Sequence, residues 1–71
     1  MKMKNYIIWL KSGETIRGIA NESTLRTLEC DFLYTRNKIR IFNRDRIHSF
    51  RDNEGAVFLN LNRIEAIFIS K

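Results

Sequence analysis

The chain of 71 residues has no proline, three glycines, one cysteine and one histidine. Because Cys30 is alone, no disulfide can form within the chain. Cys30 and His48 together are too few for a zinc finger or any Cys/His metal cluster, and no metal or other cofactor is expected. The glycines stand apart at positions 13, 18 and 55, so there is no Gly-rich loop to cradle a phosphate. No apolar run approaches the roughly 20 residues that a membrane span requires. The opening Met1-Lys2-Met3-Lys4, followed by the apolar Tyr6 to Leu10, imitates a secretory leader. That run stops after five residues with no small-residue cleavage site behind it. It reads as a strand, and a cytoplasmic protein is expected. Absent proline and scarce alanine beside abundant Ile and Asn suit an AT-rich bacterial, plasmid or phage genome.

Length alone excludes a multidomain enzyme and predicts one small domain over residues 1–71. Such a domain buries only roughly 60% of its unfolded surface and is marginal by itself. The apolar fraction of 44% argues against disorder. Without disulfides or metal, stability has to come from a good core or from self-association, so a homo-oligomer is expected.

What the chain does have is an uneven charge. The net charge is +5, from 13 Lys and Arg against 8 Asp and Glu. Residues 36–51 hold Arg36, Lys38, Arg40, Arg44, Arg46 and Arg51 against the single acid Asp45, and six minus one is +5. The remaining seven basic and seven acidic residues cancel.

Periodicity organises the rest. Tyr6 to Leu10 is β-branched and aromatic, Ser12-Gly13 supplies a tight turn, and Glu14 to Ala20 alternates, which predicts a hairpin. Tyr6 and Trp9 fall on opposite faces of the first strand, and Trp9 is expected in the core as a large apolar payload. Leu25, Leu28 and Phe32 follow at spacings of three and four, the stripe of an amphipathic helix over about 22–34 with Asn21 or Ser23 as its cap. Glu22 and Arg26 are spaced to pair along it. Lys38 to Phe42 alternates as a third strand, Asn43-Arg44-Asp45 turns, and Arg46 to Arg51 forms a fourth. Asp52-Asn53-Glu54-Gly55 is a hairpin loop. Ala56 to Leu61 follows with Val57, Leu59 and Leu61 on one face. Asn62-Arg63 turns into Ile64 to Ile69, whose apolar character predicts a central or doubly covered strand. The expected fold is α+β, a mostly antiparallel sheet or small partly open barrel in the order ββαββββ. The helix stripe should meet Ile8, Leu10, Ile16, Ile39, Ile41, Val57, Leu59, Ile67 and Ile69, or an equivalent set one register away.

Catalytic chemistry finds little support. His48 and Ser49 are neighbours on a strand and point to opposite faces. A helical cysteine such as Cys30 is expected to be buried and inert. Asp45, Asp52 and Glu54 read as solvated turn acids. A non-enzyme is expected, with no catalytic residue. The basic segment is more informative. On a strand, Arg36, Lys38, Arg40 and Phe42 share one side, and His48 shares a side with Phe50. Cations neutralise phosphates and release counterions. Rings such as Phe42 and Phe50 stack on unpaired bases for about 1–3 kcal/mol each. The competing reading is that Lys and Arg protect exposed strands from aggregation and that both rings belong to the core.

The run Tyr6-Ile7-Ile8-Trp9-Leu10-Lys11-Ser12-Gly13, with Ile16 and Gly18 after it, resembles the opening hairpin of Sm-like small β-barrels. Val57 to Ile69, with its short turn at Asn62-Arg63, is similar to their closing strands. The resemblance implies a small barrel that assembles in rings and binds RNA. It transfers no binding residue.

These readings converge on a non-catalytic nucleic-acid-binding or regulatory protein. Arg36, Lys38, Arg40, Arg44, Arg46 and Arg51 would contact the phosphates of RNA or DNA with low sequence specificity, and Phe42 and Phe50 would stack. The alternative is a protein-binding module, such as a phage- or plasmid-type inhibitor, that turns the same basic face to an acidic protein surface.

Overall fold

The computed structural model describes the backbone of residues 2–37 and 47–71, and the side chains of 2–34 and 47–71. Strand β1 (Met3–Leu10) runs into β2 (Thr15–Asn21), and these are followed by helix α1 (Glu22–Asn37). Strands β3 (Ile47–Arg51) and β4 (Ala56–Asn60), a 3₁₀ turn (Leu61–Arg63) and β5 (Ile64–Ile69) complete the chain. The fold is α+β, as the alternation of periods predicts. Among the described residues the strands form a three-stranded antiparallel sheet in the order β2-β1-β5 and a separate β3-β4 hairpin, and these do not close into a barrel.

The first turn works because Gly13 takes φ +99°, open to glycine without a Cβ clash. Its N–H donates to the Leu10 carbonyl at 2.9 Å, and the Leu10 N–H donates to that of Glu14 at 2.9 Å. Asn21 caps α1, its Oδ1 accepting from the Ser23 N–H at 2.9 Å. The Glu22–Arg26 pair forms at 3.4 Å.

Even-numbered residues of β1 point at the helix, and Tyr6 and Ile8 are fully buried there with Leu25, Leu28 and Ile64. Each apolar side chain so buried contributes about 1.5–3 kcal/mol. Ala20, Phe32, Phe50, Leu59 and Leu61 complete the core, and Leu10, Ile16, Val57, Ile67 and Ile69 pack against it. The expected apolar partners of the helix are therefore present, apart from Ile39 and Ile41, which lie outside the described residues.

Four expectations change. The ring in the core is Tyr6, while Trp9 stands on the outer face at 41% exposed. Strand parity decides this, because Tyr6 shares its side with Ile8. Cys30 is exposed, since it falls between the buried turns of Leu28 and Phe32. The helix runs on through Asn37, so Arg36 lies in its last turn rather than on a strand. Strand β5 is an edge strand among the described residues, not a central one, and Phe68 is 48% exposed on it. The third strand expected at Lys38 to Phe42 lies outside the described residues.

The 52–55 loop fastens the hairpin to the sheet. The Asn53 N–H donates to the Ile19 carbonyl at 2.8 Å, and the Ile19 N–H donates back to Asn53 Oδ1 at 3.1 Å. One asparagine thus satisfies both backbone groups of a residue on the outer edge of β2.

Candidate nucleic-acid interface

The basic segment begins in the C-terminal turn of α1 and ends with β3. Lys38, Arg40, Phe42, Arg44 and Arg46 lie outside the described residues. Arg36 lies in the last turn of α1. Arg51 ends β3 and is exposed. The two anchor elements are tied together by His48, whose Nδ1 lies 2.8 Å from Asp31 Oδ2 on α1. An ionised carboxylate only accepts, so Nδ1 carries the hydrogen in that bond.

Phe50 is not available for stacking. It is 7% exposed and meets the Tyr6 ring edge-on, with centroids 5.5 Å apart and planes at 77°. Its parity places it with His48 and the core rather than with solvent.

The opposite side of the hairpin offers a ring that the alternation of β4 already implied. Val57 and Leu59 face inward, so Phe58 must face outward, and it is 72% exposed. Across the hairpin it stands opposite Ser49, between the pairs Ile47–Asn60 and Arg51–Ala56. Arg51 is the only charge among these outward residues. An exposed ring with a cation on one side and the end of the basic segment on the other can hold a base by stacking and its phosphate by charge.

Behind the hairpin, Asp52 is more than a solvated turn acid. Its Oδ1 accepts from the backbone N–H groups of Glu54 at 2.8 Å and Gly55 at 3.0 Å, and its Oδ2 accepts from the buried Tyr6 hydroxyl at 2.6 Å. The Tyr6 bond and then the Glu54 amide hold the carboxyl below the usual aspartate range. Burial first, and then the Asp52 carboxylate, push the Tyr6 phenol well above its ordinary value, so it remains a donor. No sequence pattern announces this pair, which joins residues 46 positions apart.

Among the described residues, no three His, Cys, Asp or Glu side chains gather as a metal site, and no helix is long and apolar enough to cross a membrane. Comparison with protein-family models, curated proteins and solved structures gave no match.

Proposed function

We propose that this is a non-catalytic nucleic-acid-binding protein, with residues 36–51 as its phosphate-contacting segment. One observation carries the reading. The nine residues 38–46 join α1 to β3 with four cations against one acid, and they lead directly into a hairpin face bearing exposed Ile47 and Phe58. Arg36, Lys38, Arg40, Arg44, Arg46 and Arg51 supply charge, Phe42 remains a candidate ring, and Phe58 takes the stacking role first given to Phe50. Contacts of this kind favour RNA or DNA without strong sequence preference. The reading includes a cytoplasmic protein acting as a homo-oligomer, which would bring several basic segments to one strand. It leaves room for the Sm-like resemblance only as a likeness of hairpin and closing strands, since the sheets do not close among the described residues.

A second reading is a protein-binding module. It is favoured by the outer face of the three-stranded sheet, where Met3, Ile7, Trp9, Ile19 and Phe68 are accompanied by one charge, Arg17.

The test is binding of mixed-sequence single-stranded RNA, single-stranded DNA and duplex across a salt series. Six phosphate contacts on a single strand predict a slope of log K against log salt of about −4. The double variant Arg36→Glu, Arg40→Glu should abolish binding while circular dichroism stays unchanged. No binding at about 50 mM salt, where counterion release is most favourable, would overturn the proposal.

A further inference from the structure

We propose that β5 is an assembly edge, pairing antiparallel with β5 of a second copy across a two-fold axis. The inference rests on the homo-oligomer part of the reading above and is independent of nucleic acid.

Strand β5 bonds to β1 on one side, and no described strand pairs with its other side. Hydrogen bonding alternates along a strand. The Ser70 N–H donates to the Asn5 carbonyl at 2.9 Å, so Ser70, Phe68 and Ala66 address β1. Ile67 and Ile69 therefore direct their N–H and C=O groups to the open edge. Open edges are ordinarily blunted by lysine or proline within the strand. Here the strand reads Ile-Glu-Ala-Ile-Phe-Ile, with neither residue in it, and its one charge and its register shift both fall at Glu65, ahead of residues 66–69. On the opposite edge of the sheet, Asn53 takes both backbone groups of Ile19.

The chemistry of the strand selects a register. A two-fold pairing must set open-edge residues opposite one another. With Ile67 opposite the partner's Ile69, Phe68 falls opposite the partner's Phe68, and Glu65, the extra residue where the register with β1 shifts, lies beside the partner's Lys71. Two opposite-charge pairs and one aromatic pair result, with Glu65 and Lys71 both exposed. Sliding to Ile67 opposite the partner's Ile67 would leave Glu65 facing the partner's Ile69.

The inner face supports the same geometry. A groove of about 430 Å³ lies between α1 and β5, with Phe32, Leu33, Ile67 and Ile69 among its lining residues. Leu33 is left exposed there. A partner strand laid along β5 brings its own Ile67 and Ile69 under that side of the helix. Strand addition gains affinity from main-chain bonds and specificity from such alternate side chains.

Sedimentation of the nucleic-acid-free protein tests this between roughly 10 µM and 1 mM, the range suited to a small interface. A monomer–dimer equilibrium is expected. Glu65→Lys should weaken it about tenfold, as two attractive cross-strand pairs become repulsive. Lys71→Glu should do likewise, and the two changes together should restore it. Ile67→Pro removes an N–H that faces away from β1 and has no strand beside it among the described residues, and it should abolish pairing. A protein that stays monomeric would overturn both this proposal and the homo-oligomer reading. An oligomer indifferent to Glu65→Lys, or one larger than a dimer, would overturn the β5 edge alone. A monomer that takes up a synthetic peptide copying residues 64–71 would assign the edge to an extended ligand and overturn self-pairing.

Discussion

Gly18 sits where the sheet, the buried tyrosine and the 52–55 loop meet, so adding one methyl group there tests the packing directly. A Cβ at this position would stand 2.7 Å from Asp52 Oδ2, 3.1 Å from the Tyr6 hydroxyl and 3.1 Å from Tyr6 Cε1. The backbone of Gly18 is not in the left-handed region, so alanine meets no backbone strain. In open space Gly→Ala would stabilise by about 0.4–1 kcal/mol through the unfolded chain. Here the carboxylate must swing away from the new methyl, and it cannot do so and keep its 2.6 Å bond to Tyr6. Losing a hydrogen bond to a charged group costs about 1.5–3 kcal/mol. The net expectation for Gly18→Ala is a loss of about 0.5–2.6 kcal/mol, obtained by setting the lost bond against the chain-entropy gain. A domain of this length has roughly 4–11 kcal/mol in total. Urea unfolding followed by far-ultraviolet circular dichroism measures the difference. The same change made in an Asp52→Ala background should cost markedly less, because the atom nearest the methyl is gone. Equal or greater stability for Gly18→Ala, or simple additivity with Asp52→Ala, would refute the reasoning.

Asp52 also carries an acid dependence. Its carboxyl titrates lower in the folded protein than in the unfolded chain, so its contribution is complete above the ordinary aspartate pKa and is lost as pH falls through the lower folded value. Asp52→Asn should therefore be less stable than the parent by about 1–2 kcal/mol at pH 7. That gap should close below about pH 4, and a gap that persists to about pH 2 would contradict the assignment. The two phenylalanines of the hairpin should separate cleanly. Phe50→Ala should lose about 3–5 kcal/mol in urea unfolding, whereas Phe58→Ala should leave stability nearly unchanged and weaken single-strand binding by about 1–3 kcal/mol.

Much of the fold was legible because local periods and tertiary burial agree. Leu25, Leu28 and Phe32 repeat at helical spacing and all reach the core. Gly13 and the Asp52-to-Gly55 loop mark both hairpins. The helix stop is not legible, because nothing in Tyr34-Thr35-Arg36-Asn37 breaks a helix and Arg36 continues an alternation that points forward into a strand. The apolar content of β5 suggests a central strand, but it reports burial need and not which neighbours a strand finds. Size favours Trp9 for the core, whereas parity with Ile8 gives the place to Tyr6. At the candidate site, Phe50 and Phe58 could have been sorted beforehand. Val57, Leu59 and Leu61 fix the inner side of β4, which leaves Phe58 outside, and His48 with Phe50 forms the matching inner side of β3. The Tyr6–Asp52 bond had no local sign, because long-range polar pairs follow from topology.

The Asn53 clasp on Ile19 bears on how far any assembly of this chain can grow. A sheet with two free borders is a tile that can be laid end to end without limit, and that is the geometry of fibres. On the β2 border of this sheet the asparagine of the 52–55 loop caps the strand at Ile19. Joining two molecules through the β5 border would leave the six-stranded product with a clasp at each end. Asn53→Ala would reopen the β2 border by removing a side-chain acceptor, so the outcome to look for is slow, concentration-dependent thioflavin-positive aggregation in place of a finite particle.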